Sequence, residues 1–140
     1  MSAPGISRVL ETVLYFTSES ETKAFYSEVL GLRLIGEEAG RHMFFRMGDG
    51  VLLLFNPSAT AEAGSVPAHG ATGQGHACFL ASGGNYEQWK QHLEGRGVSI
   101  IQEASWPPGA ARERIRGVSF YFRDPSGNLL EIANTDFWPP

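Results

Sequence analysis

Cysteine is nearly missing from this 140-residue chain, and its one copy, Cys78, cannot close an internal disulfide. The fold therefore rests on packing, and a reducing, cytoplasmic setting is expected. Long apolar runs are missing too: no stretch reaches the roughly 20 residues that span a bilayer. The opening MSAPGISR has no basic segment leading into an apolar run, so neither a signal peptide nor a membrane partner is expected. Basic runs are lacking, and the net charge is −4 at pH 7, which argues against nucleic acid as a partner. Charged residues make up 19% of the chain and hydrophobic ones 42%, proportions ordinary for a globular protein. The length suits one domain, or two half-domains sharing a core.

What the chain does have is turn formers, 17 glycines and 8 prolines, between short elements that occur twice in the same order. Residues 8–17 read as a buried strand. Ser18, three residues before Glu21, forms a capping box that starts a helix with Phe25, Tyr26, Val29 and Leu30 on one face, ended by Gly31. Strands are expected at 32–37, 42–47 and 51–56, and residues 57–74, rich in Ala, Gly, Ser and Pro, read as a surface linker. The order then repeats. A strand at 75–81 precedes a helix opened by Asn85 and Gln88, with Tyr86, Trp89 and Leu93 on one face and Gly95 or Gly97 at its end. Strands at 98–103, 118–123 and 129–134 follow, with Trp106 in a loop after the first of them. The expected fold class is α+β: two tandem βαβββ modules, about 8–56 and 75–136, in a single domain over 1–140.

The two halves also share a string. FFRMGDGVLLLF at 44–55, laid without a gap on YFRDPSGNLLEI at 121–132, matches Phe45 with Phe122, Arg46 with Arg123 and Gly50 with Gly127. In that alignment Leu54 stands where Glu131 stands. A buried, unpartnered carboxylate costs several kcal/mol, so Glu131 needs a partner, and a metal ion is the obvious one.

ETVLYF at 11–16, AFYSEVLGL at 24–32, GHACFL at 75–80 and FRDPSGNLLEI at 122–132 together resemble the vicinal oxygen chelate superfamily, over about Arg8 to Phe137. That group includes glyoxalase I, extradiol dioxygenases, fosfomycin thiol transferases and bleomycin-binding proteins. The resemblance implies that the modules curve into a cup-like, partly open barrel with the site in its cleft. It further implies one divalent metal held from Glu11, Leu54, His76 and Glu131, of which Leu54 cannot bind. Three ligands remain, Glu11, His76 and Glu131, leaving open positions for substrate oxygens, with Glu11 and Glu131 as catalytic carboxylates. One imidazole and two carboxylates suit Mn, Fe, Zn, Ni or Mg. Many relatives carry His where this chain has Glu11, which weakens the iron-dioxygenase reading.

Strand alternation places Val13 and Tyr15 on the face of Glu11, and Cys78 on the face of His76. With Leu54, Tyr121, His69 from the linker and Trp106, these make up the expected substrate pocket. The function expected is a small metal-dependent lyase, dioxygenase or transferase whose substrate, aromatic or oxygen-rich, chelates the metal through two oxygens. The alternative is a metal-free protein that sequesters an aromatic antibiotic, like bleomycin-resistance proteins. A homodimer is implied by the resemblance, with Glu11 able to come from the second subunit.

Overall fold

The computed structural model describes residues 2–140. The chain divides into two compact units, one ending at Thr72 and one running Gly73–Pro140. Each is a βαβββ module with a four-stranded sheet, as the repeated order of elements predicts.

Module one contains β1 (Glu11–Tyr15), α1 (Glu19–Ala24), β2 (Arg33–Glu38), β3 (His42–Met47) and β4 (Gly50–Phe55). Its sheet runs β1-β4-β3-β2, with β1 parallel to β4 and the remaining pairs antiparallel. A parallel pair cannot be joined by a tight turn, so α1 and two strands make the crossover. After Ala24 the helix winds as a π-helical turn over Phe25–Val29. This sets the Tyr26 ring, fully buried, 5.7 Å from Phe45. Gly31 ends the helix at φ 69, where other residues are strained. The capping box expected at Ser18 is not formed: its side chain makes no cap bond, and its carbonyl accepts from the Thr22 hydroxyl instead.

Because Phe45 meets the helix, pleat alternation sorts the rest. Register pairs Phe45 with Leu52 and Met43 with Leu54, and Leu54 lies beside Leu14. These residues form the helix-side core. The opposite, open face carries Glu11, Val13, Tyr15, Leu53, Phe55, His42 and Phe44.

The connection that follows opens with a short helix, α2 (Pro57–Thr60), capped by Asn56 and carrying proline at its start. It folds back on module one where the His69 amide donates to the Thr60 carbonyl at 3.0 Å.

Module two contains β5 (His76–Leu80), α3 (Tyr86–Gly95), β6 (Gln102–Trp106), β7 (Gly117–Arg123) and β8 (Leu129–Ala133), in the sheet order β5-β8-β7-β6. Tyr86 of α3 packs its ring 5.3 Å from Phe120, so Phe120, Phe122, Leu130 and Ile132 are the helix-side core. β6 begins later than the expected 98–103. The Val98 amide is taken by the Leu93 carbonyl at the end of α3, and pairing with β7 starts only when the Ile101 amide reaches the Tyr121 carbonyl. Trp106 consequently ends a strand rather than sitting in a loop. Among the described residues no helix is long and apolar enough to cross a membrane.

Candidate functional site

On the open face of module two, register sets Cys78 beside Glu131 and Tyr121 opposite it. His76 starts β5 on the same face. Its Nδ1 lies 2.8 Å from the Leu129 carbonyl oxygen, and its Nε2 lies 3.3 Å from Glu131 Oε1. A carbonyl can only accept, so Nδ1 carries the proton in this pair. Nε2 is thereby turned towards a carboxylate oxygen. Two acceptors at that distance repel unless a cation, either a proton or a metal ion, lies against both.

The second carboxylate oxygen makes the same demand. Glu131 is 4% exposed, and its Oε2 is buried with no hydrogen-bond partner. Leaving such an atom unpaired costs about 1–3 kcal/mol, and more when it is charged. The half-exposed imidazole and the orphaned carboxylate oxygen fit two ligands of a divalent ion, with the imidazole side open to solvent.

The neighbours respond to the carboxylate. Cys78 keeps an exposed edge, yet partial burial first and the Glu131 charge second push its thiol up to about 12. Without a metal beside it, it is a protonated thiol at neutral pH, and it lies exposed on the open face. Tyr121 is likewise raised, by burial and then by Glu131, and its ring lies 6.2 Å from that of His76. It stays a neutral phenol.

Module one holds the corresponding positions with other residues. Glu11 starts β1 as His76 starts β5, and it is exposed. The counterpart of Glu131 is Leu53 and not Leu54. Arg46 pairs with Val51 around residues 47–50, whereas Arg123 pairs with Leu129 around residues 124–128. The turn of module two is one residue longer, so an ungapped alignment slips by one in the last strand. That slip exchanges faces: Leu54 is fully buried in the helix-side core and lines no open-face site. Leu53, paired with Phe44 and Val13, occupies the open face. A leucine thus replaces the carboxylate in either alignment.

The extra residue is held by Asp124. Its Oδ1 accepts from the amides of Ser126 and Asn128, each at 2.9 Å, and its Oδ2 accepts from Asn128 Nδ2 at 2.9 Å. Asn128 Oδ1 then accepts from the Gly75 amide at 2.8 Å, tying the turn to the residue before His76. DPSGN, with Asp and Asn at its ends, carried the signal for this longer turn.

Tyr15 and His69, both expected near the pocket, do meet. The Tyr15 hydroxyl lies 2.7 Å from His69 Nδ1, and Phe55 stands edge-on to the imidazole at 4.7 Å. Further along the same face, His42 stacks on Phe44 at 4.1 Å. Burial holds the His42 imidazole below its ordinary pKa. Val13 is half-buried between Glu11 and Tyr15. Among the described residues, no three His, Cys, Asp or Glu side chains gather as a metal-holding group; His76 and Glu131 are brought together as a pair, without Glu11.

Comparison with known proteins gives a consistent pattern. The family model described as the Glyoxalase/Bleomycin resistance protein/Dioxygenase superfamily matches residues 8–132. A lactoylglutathione lyase from Agrobacterium tumefaciens is 34% identical, with 96% of this chain and 98% of that one covered and a TM-score of 0.84. A virulence protein from Salmonella typhimurium is 25% identical over 94% of this chain and 98% of that one, with a TM-score of 0.71. A fosfomycin resistance protein from Listeria monocytogenes, 17% identical over 94% and 96% of the two chains with a TM-score of 0.65, shares the fold.

Proposed function

This chain belongs to the glyoxalase/bleomycin resistance protein/dioxygenase superfamily, and we propose that it is a divalent-metal-dependent enzyme acting on a small molecule that offers two oxygens to the ion. The observation that carries this reading is the buried Oε2 of Glu131, without a hydrogen-bond partner, on a carboxylate whose Oε1 lies 3.3 Å from Nε2 of His76. Nε2 and the Glu131 carboxylate would hold the ion. Glu11 is the third ligand, supplied by the second copy of a homodimer. Bound there, a divalent ion supplies Lewis-acid stabilisation of negative charge developing on a chelated oxygen.

The chain's own residues divide the remaining work. The Leu129 carbonyl fixes the tautomer of His76, as a metal-ligating imidazole requires. Glu131 is buried and anchored in the middle of its sheet, so it stays in place. Glu11, exposed at the start of β1, has the freedom to take a proton from the substrate and return it. Tyr121, a neutral phenol opposite Glu131, can donate a hydrogen bond to a substrate oxygen. Three ligands would leave the ion open to two substrate oxygens, with a metal of the Mn, Fe, Zn, Ni or Mg group.

A metal-free binder of an aromatic compound is the second reading. The rings of Tyr15, His69, Phe55, His42 and Phe44 on one face favour it, but it leaves Oε2 of Glu131 buried without a hydrogen-bond partner. Metal analysis separates the two. Protein purified without added metal is expected to hold about one Mn, Fe, Zn or Ni per chain, and Glu131→Ala to hold none. No metal in either sample, and no uptake of any of these ions on addition, would sink the metalloenzyme reading.

A further inference from the structure

We propose that the groove between the first half of α3 and the edge strand β6 is a second binding site, for a small ammonium compound with an oxygen acceptor close to its nitrogen. Amino sugars and amino alcohols are the class that fits. The site is independent of the metal-dependent reading above, because it lies on the helix side of the module-two sheet, opposite the face that carries Glu131.

A cleft of about 380 Å³ opens there, walled by Tyr86, Glu87 and Lys90 of α3 and by Glu103 and Ser105 of β6. β6 has only β7 as a neighbour in its sheet, so no further strand covers this flank. Register sets Glu103 opposite Phe120 and Ser105 opposite Val118. Phe120 is the residue that meets Tyr86, so Glu103 and Ser105 face the helix.

A polar atom without a partner lies against this cleft. Tyr86 is 8% exposed, and its hydroxyl is buried with no hydrogen-bond partner among the described residues. Buried donors are rarely left in that state. Burial first and the Glu103 charge second push the phenol up to about 12, so it stays a neutral donor in want of an acceptor. After Glu103, the charges that act on it most are Lys90 and Glu87, and all three line the cleft. The hydroxyl end is therefore turned towards it.

The charges around the phenol are unequal. Lys90 Nζ stands 5.7 Å from the centre of the Tyr86 ring and donates to Glu103 Oε1. Glu87 Oε2 lies 3.6 Å from the same nitrogen, too far for a good hydrogen bond. One ammonium thus serves two carboxylates, and the cleft keeps a surplus negative charge. A ligand ammonium against Glu87 meets that surplus and lies near the aromatic ring, as Lys90 does. With the flexible Lys90 side chain moved aside, an oxygen next to that nitrogen gives Tyr86 its acceptor, and Ser105 offers a further hydroxyl. An anion would instead meet two carboxylates.

The test titrates glucosamine into nitrogen-15-labelled protein at slightly acidic pH, where its amine is charged, and follows the backbone amides. Two controls each lack one half of the ligand: N-acetylglucosamine has no charge, and methylammonium has no oxygen. Shifts are expected at residues 86–90 and 103–105, with glucosamine bound at least about tenfold more tightly than either control. Glu87→Gln and Tyr86→Phe should each weaken it several-fold. Tyr86→Phe removes only an unbonded hydroxyl and should melt no lower than the unaltered protein, so its lost binding is not lost folding. Lys90→Met frees a second carboxylate and should tighten binding. The proposal is overturned if these segments do not shift, if either control binds as well, if Tyr86→Phe binds unchanged, or if Lys90→Met weakens binding.

Discussion

Module one and module two share element order, sheet order and parallel edge pairing, yet one carries a carboxylate on its open face where the other carries a leucine. Glu131 and Leu53 occupy the same register position, opposite Tyr121 and Phe44. Around Glu131 stand an imidazole, a phenol and a thiol. Around Leu53 stand Val13 and aromatic rings. One scaffold thus supports a polar, cation-demanding face and an apolar, ring-lined face. The difference is set by single residues on strands that the core holds rigid, which is why the fold tolerates it: the helix-side core of Phe45, Leu52 and Leu54 in one module and Phe122, Leu130 and Ile132 in the other is apolar throughout.

The sharpest way to break this comparison is to place a carboxylate on each side of β4. Leu54→Glu buries an unpaired charge in the helix-side core and should cost about 4 kcal/mol or more, enough to prevent folding. Leu53→Glu, at a position 7% exposed on the open face beside half-buried Val13, should cost less than Leu54→Glu. Circular dichroism and urea unfolding of the two variants read the outcome. The reverse order would restore the ungapped alignment and refute the pairing of Leu53, rather than Leu54, with the open face.

Next comes the turn that makes the modules differ. Asp124→Ala removes three acceptor bonds from a buried carboxylate and should destabilise by about 2–4 kcal/mol. Asp49→Ala, in the tight hairpin of module one, should cost well under about 1 kcal/mol. Urea midpoints at constant slope check both.

Glu131→Leu makes module two resemble module one. It removes a buried carboxylate whose Oε2 has no hydrogen-bond partner, so metal-free protein should gain about 1–3 kcal/mol while losing metal uptake. A destabilised variant would mean that the carboxylate is satisfied within the chain.

The smallest effect is a pH dependence. His42 has its pKa lowered by burial first, partly opposed by Glu38. The folded state therefore prefers the neutral ring. Its contribution is complete above the ordinary value of 6.5 and is lost as pH falls through the folded value. Stability of the unaltered protein should fall more than that of His42→Gln between about pH 7 and 5, measured by thermal melting.

Much of this was legible in the sequence because periodicity reports faces. The alternation of ETVLY and HACFL placed Glu11 with Tyr15 and His76 with Cys78, and the apolar stripes of the two helices announced which side of each sheet they cover. Element order followed from glycines at turns, such as Gly31 and Gly97. Register was harder. A repeat compared without gaps cannot see a turn one residue longer, and Leu52, Leu53 and Leu54 are identical, so nothing in their side chains reveals the slip. The β6 boundary was hidden because the Val98 amide answers to the end of α3, a bond that no strand pattern announces. The Tyr15–His69 hydrogen bond spans 54 positions, and the meeting of Trp106 with Phe137 depends on a close approach at Gly117. Such contacts are products of the folded backbone and leave no local trace.

The most direct measurement of the central claim is anomalous diffraction from crystals of this protein soaked in manganese. One strong peak is expected about 2.1–2.3 Å from both His76 Nε2 and a Glu131 carboxylate oxygen, with His76 Nδ1 still bonded to the Leu129 carbonyl. A peak away from this pair, or none at full soaking concentration, would contradict the claim.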